Sequence, residues 1–93
     1  MTRKQRKPAP ELQYSESLAD GLRRARLSAD IGFREAARHI GIESSNLWRI
    51  EKGQFTPSFE TLGKMLRLYK ANLNIGPDGV MLTWQKALDE NGG

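Results

Sequence analysis

Apolar positions recur every three to four residues along most of this chain, and the rhythm breaks at residues that end helices. Leu18, Leu22 and Ala25 share one face of a segment predicted to be helical from about Ser15 to Ala29. Ser15 or Ser17 can cap it, and Tyr14 is placed to pack at its entrance. Asp30-Ile31-Gly32 interrupts the period. A second helix is predicted from near Phe33 to Gly41, and a third from about Ser44 to Lys52, stopping at Gly53. Pro57-Ser58 opens a fourth, with Ser58 as cap and Phe59, Leu62, Met65, Leu66 and Tyr69 as its buried stripe.

The residues after Leu73 admit two readings. Gly76-Pro77-Asp78-Gly79 can cap a fifth helix at Asp78, with Val80, Met81, Trp84, Ala87 and Leu88 on one face. The same four residues can instead turn a hairpin between Ala71–Ile75 and Val80–Trp84. The helix is the favoured expectation, because Gln85-Lys86-Ala87-Leu88 carries the 3.6-residue period beyond hairpin length. Residues 1–12 are polar, carry Pro8 and Pro10 and show no period, so they read as a disordered arm. The expected division is a flexible basic arm over 1–14, a helical domain over 15–73 and a C-terminal element over 74–93.

Twenty residues, Phe33 to Lys52, hold the most specific pattern. Two short helices meet at Gly41, where the first must end in a left-handed conformation that a residue without Cβ adopts at little cost. Ala37 sits where the two helices approach closely, and a larger side chain would push them apart. Ile40, Ile42, Leu47 and Ile50 supply the contacts that hold the pair at a fixed angle. This is the pattern of a helix-turn-helix, whose second helix is presented outward toward a DNA major groove.

At these residues the chain resembles the lambda-repressor/Cro-like (Xre-like) family. The family's phrase of Ile-Glu-basic-Gly, then Pro-Ser and Thr-Leu, stands here as Ile50-Glu51-Lys52-Gly53, Pro57-Ser58 and Thr61-Leu62. The resemblance covers about Ser17 to Leu73. It implies an all-α fold, a compact domain of four to five helices around the helix-turn-helix.

The resemblance also implies a site. Ser44, Ser45 and Arg49 occupy base-contacting positions of the family, and Asn46 beside them can pair with adenine or touch a phosphate. Arg49 lies four residues beyond Ser45, so both project from one helix face. An arginine there can bond bidentately to guanine, a contact of about 1–3 kcal/mol in discrimination. The competing reading of Arg49 is a surface ion pair with Glu51 or Glu43. The family grips the phosphate backbone from the places of Arg34, Lys52, Gln54 and Thr56. Phe33 replaces the family's usual glutamine, and Arg34 or Arg38 can take over its contact. Glu43 stands where the family often has a capping serine or threonine. Trp48 departs from a usually small or polar position; it either lies along a sugar-phosphate backbone or packs on the fourth helix. Arg26 and Glu51 are implied to form a structural ion pair, part of the scaffold and not of the reading surface.

Charge adds one refinement. The net charge is +4, from 15 basic and 11 acidic residues, and Arg3, Lys4, Arg6 and Lys7 account for all of it. The remainder is formally neutral, so the excess points to a cationic arm able to wrap DNA or enter its minor groove, or to an ordinary solvated terminus. With 93 residues the chain reads as one small domain with a thin margin of stability, which dimerisation would relieve. There is no cysteine, which excludes disulfides and thiolate metal sites and fits a reducing cytoplasm. No apolar run approaches membrane-spanning length. His39 is the single histidine, acidic residues are scattered, and no phosphate-cradling glycine loop or metal-ligand spacing is present; no enzyme, cofactor or metal is expected.

The expected function is sequence-specific binding of double-stranded DNA by a transcriptional regulator. It is read as a cytoplasmic, bacterial or phage-encoded repressor acting as a homodimer on a two-fold operator, with dimer contacts through Met81, Trp84 and Leu88. For that stripe, closure of the monomer core is the competing reading. Two other classes stand beside it. One is an antitoxin-type module that neutralises a partner protein through its tail and autoregulates through DNA. The other is a monomeric nucleic-acid adaptor.

Overall fold

The computed structural model describes residues 12–85. Seven elements follow one another: β1 (Leu12–Ser15), α1 (Leu18–Ser28), α2 (Phe33–Ile40), α3 (Ser44–Glu51), α4 (Phe59–Tyr69), β2 (Ala71–Gly76) and β3 (Gly79–Gln85). The strands form one antiparallel sheet in the order β1-β3-β2. Four helices are present as the periodicity predicted, but the fold is not all-α, and no fifth helix stands among the described residues. The basic residues Arg3, Lys4, Arg6 and Lys7 lie outside that range, as do Ala87 and Leu88.

Local chemistry explains the helix ends. The Ser17 side chain accepts the Asp20 N–H at 3.2 Å, so α1 begins at Leu18 and not at Ser15. Ser15 instead closes β1, and its hydroxyl donates to Asp20 Oδ2 at 2.9 Å. At the end of α2, Gly41 has φ +86°, and the N–H groups of Gly41 and Ile42 both reach the Ala37 carbonyl, at 2.8 and 3.0 Å. Ser58 caps α4 by accepting the Thr61 N–H at 3.1 Å.

The C-terminal segment is a hairpin for a reason visible in its register. Ala71 pairs with Trp84 and Leu73 with Leu82, so residues two apart face the core together. Leu82 and Trp84 are 1% and 3% exposed. A helix would have placed these two on different faces. Gly79 turns the chain at φ +125° after Pro77-Asp78. Met81 and Trp84, expected on one dimer-forming helix face, are instead three apart on one strand and point to opposite faces. Trp84 belongs to the core.

β1 completes the sheet, pairing Ser15 with Leu82 and Leu12 with Gln85. The segment expected as an arm over 1–14 thus becomes strand from Leu12 onward. The sheet lies on α1 at Gly21, where an added Cβ would stand 2.8 Å from Leu82 Cδ2, 3.0 Å from Leu82 Cβ and 3.3 Å from Ser15 Cβ. A glycine inside a helix costs about 1 kcal/mol against alanine, and here its missing side chain is what lets sheet and helix touch.

Leu22, Ala25, Ala37, Ile40, Leu47 and Met65 form the centre of the core between the helices. The stripe of α4 is buried at Leu62, Met65 and Tyr69, but Phe59 is 89% exposed. It occupies the first position of the helix, and no described residue covers it.

Candidate nucleic-acid interface

Burial decides which way α3 faces. Leu47 and Ile50 are buried, fastening the helix to α1 and α2. The opposite side leaves Ser45, Trp48, Arg49 and Lys52 exposed, while Ser44 and Asn46 are half-buried at its margins. Of the four residues expected to meet bases, Ser45 and Arg49 thus stand outermost. Glu51 cannot serve as a surface partner for Arg49, because both its carboxylate oxygens are engaged by Arg26. No ion pair holds Arg49 among the described residues.

Trp48 is 47% exposed and does not vanish into the core. The Lys52 ammonium lies 5.6 Å from its ring centroid, a cation–π distance. One turn of helix separates them, so the i, i+4 spacing could have revealed the pair. Arg34 and Arg38 are exposed on α2, and Gln54 and Thr56 are exposed in the loop that follows α3. Phe55, between these two, is 47% exposed. Glu43 precedes α3 without making a side-chain cap; its backbone carbonyl accepts the Asn46 and Leu47 N–H groups, at 2.9 and 3.1 Å.

Beneath this surface lies a charged clamp. Arg26 Nε donates to Glu51 Oε2 at 2.7 Å and Nη2 donates to Oε1 at 3.1 Å, while Nη1 donates to the Ile31 carbonyl at 3.0 Å. The guanidinium also lies 5.4 Å from the Phe33 ring centroid. One side chain of α1 therefore reaches the end of α3, the α1–α2 loop and the start of α2. Its pKa is raised by the bond to Glu51, against the opposing effect of burial. The contributions of Ile31 and Phe33 escaped sequence reasoning, since a backbone carbonyl carries no residue signature. They also give Phe33 a packing role where a glutamine was expected.

Tyr69 lies near this pair, 2% exposed, and its hydroxyl has no hydrogen-bond partner among the described residues. Burial, then the charge of Glu51, pushes its pKa well above the ordinary tyrosine value, with Arg26 opposing. No group of side chains with metal-binding arrangement occurs among the described residues, and none of the described helices is long and apolar enough to cross a membrane.

Comparison with known proteins matches residues 17–74 to the family described as Helix-turn-helix domain. Neither the curated proteins nor the solved structures give a match. The matched span runs from the cap of α1 into β2 and takes in the whole clamp and the exposed face of α3, so the chain belongs to the helix-turn-helix domain family, a family of DNA-binding regulators.

Proposed function

We propose that this protein is a cytoplasmic, sequence-specific transcriptional repressor of the lambda-repressor/Cro-like type, binding a two-fold operator as a homodimer. The observation that carries the reading is the outward face of α3, where Ser45, Trp48, Arg49 and Lys52 are exposed on a helix fixed from behind by the Arg26–Glu51 clamp. Arg49 reads a guanine through its two-pronged guanidinium, and Ser44, Ser45 and Asn46 contact neighbouring base edges. Lys52, carried on the Trp48 ring, meets the phosphate backbone with Arg34, Arg38, Gln54 and Thr56. Arg3, Lys4, Arg6 and Lys7 add cations, each neutralised phosphate contributing about 0.9 to the salt slope. The half-sites lie about one helical turn, roughly 34 Å, apart. Occupation of a promoter by such a dimer excludes other proteins, which is repression in its simplest form.

Selection of random duplex DNA by the purified protein tests this, repeated with Arg49→Ala and Lys52→Ala. The expected result is an enriched two-fold motif. Arg49→Ala should lose preference at one base position, a change of about 1–3 kcal/mol there. Lys52→Ala should weaken all sequences alike and lower the salt slope by about 1. Absence of enrichment, with only weak salt-sensitive binding, would overturn the reading and make a protein the primary partner.

A further inference from the structure

Trp48 is the largest side chain on the outward face of α3, and carrying Lys52 leaves most of its surface without a task. Ser45, Trp48, Arg49 and Lys52 follow the i, i+3, i+4, i+7 spacing of one helical stripe, and all four are exposed. Three of them end in polar or charged groups suited to base edges and phosphates. The indole is instead a broad apolar surface, 47% exposed, in the middle of that stripe. Leu47 and Ile50 are the buried residues of α3, so the helix is fastened from its other side. Lys52, one turn on, lays its ammonium 5.6 Å from the ring centroid. That contact restrains the ring before DNA arrives, which lowers the cost of ordering it in a complex.

We infer that Trp48 reads the C5 methyl group of a pyrimidine in the major groove, beside the guanine that Arg49 takes, a role that rests on DNA binding through α3 as proposed above. On the major-groove edges the bases present donors and acceptors, and the thymine methyl is the apolar group among them. An indole ring gains little by covering a donor or acceptor, but it gains by taking a methyl out of water. Placement argues the same way. Trp48 and Arg49 are consecutive, with Cα atoms about 3.8 Å apart, and successive base pairs rise by about 3.4 Å. The two side chains therefore address the same base step or its neighbours. Helical side chains lean back toward the N-terminus, so the indole tilts over Ser44 and Ser45, one turn earlier. Both serines are short and leave it room to reach the base edges. Lys52 lies one turn the other way, toward the phosphates. 5-Methylcytosine carries the same group in the same place, so the ligand is a C5-methylated pyrimidine, from thymine or from a modified cytosine.

Fluorescence anisotropy of the full chain on the duplex it selects tests this, one pyrimidine at a time around the Arg49 guanine. Replacing thymidine by deoxyuridine removes the methyl alone. Wild type should lose about fourfold in affinity at one position, the worth of one buried methylene-sized group. Deoxycytidine and 5-methyldeoxycytidine at the same position form a second pair. A methyl gain in both pairs supports the shared group, and a gain in one pair alone names its source. Trp48→Ala should bind methylated and unmethylated duplexes equally while keeping the guanine preference that Arg49→Ala loses, and Trp48→Phe should retain part of the methyl effect. The wild-type comparison needs no variant, so it decides the matter even if Trp48→Ala fails to fold. Three results overturn the methyl contact and leave sequence-specific DNA binding standing: wild type indifferent to the methyl in both pairs at every position, a methyl effect that survives in Trp48→Ala, or a Trp48→Ala loss equal on all sequences, as contact with the sugar-phosphate backbone would give. Random DNA that yields no selected duplex overturns both.

Discussion

Replacing Glu51 by alanine should destabilise this protein more than any single surface change, because it strands a buried cation. The substitution removes two charge-assisted bonds, of 2.7 and 3.1 Å, from an Arg26 side chain only 10% exposed. What remains is the Ile31 carbonyl at 3.0 Å and the face of Phe33 at 5.4 Å. Breaking a buried pair costs about 3–5 kcal/mol. The two surviving contacts place this case near the lower end, at roughly 3 kcal/mol. A domain of this size has only about 4–11 kcal/mol in total, so the variant should be partly unfolded at modest denaturant. Arg26→Met should cost a comparable amount by stranding the carboxylate. The double variant Arg26→Met/Glu51→Leu should return to within about 1 kcal/mol of wild type, since apolar groups of similar volume replace a buried pair nearly neutrally. Urea unfolding followed by far-UV circular dichroism, with m-values checked for constancy, measures all four corners of the cycle. Single substitutions that cost under about 1 kcal/mol, or effects that simply add, would refute the clamp as the element that ties α3 to α1.

Two further outcomes follow from the packing. Tyr69→Phe should be neutral or stabilising by about 1 kcal/mol, since it deletes a buried hydroxyl without a partner among the described residues. In wild type the raised pKa of Tyr69 keeps the folded form protonated where the unfolded form has ionised, so stability is intact below about pH 10 and falls by up to about 1.4 kcal/mol per pH unit above it; urea titrations at pH 9 to 11 should show that slope flattened in Tyr69→Phe. Gly21→Val should cost about 1–3 kcal/mol by overpacking against Leu82 and Ser15, and should shift Trp84 fluorescence to the red as the sheet lifts from α1. An unchanged emission maximum with unchanged stability would sink the close-approach argument.

The helix-turn-helix was legible because its determinants are local. Gly41 accepts φ +86° without a Cβ, Ala37 offers its carbonyl to the turn, and Leu47 and Ile50 set the buried face of α3 within a single pair of turns. Ser17 and Ser58 announce helix starts through bonds that span three residues. The outward position of Ser45 and Arg49 follows from the same short-range period. The sheet was not legible in this way. Residues 78–85 satisfy both a helical and an alternating pattern, and the choice between them was made by partners far along the chain. Ser15 meets Leu82 across 67 positions, and Gly21 supplies the flat place on α1 where that strand can lie. Phe59 looked buried by its spacing yet is exposed, because a period says which residues share a face and not whether anything covers it. The sequence alone therefore determined the helix-turn-helix, the caps of α1 and α4 and the outward residues of α3, all products of contacts within a few positions. Only tertiary structure decided the uncharged sheet, its strand order and the Ile31 and Phe33 supports of the clamp, because those depend on which distant segments come to share a surface.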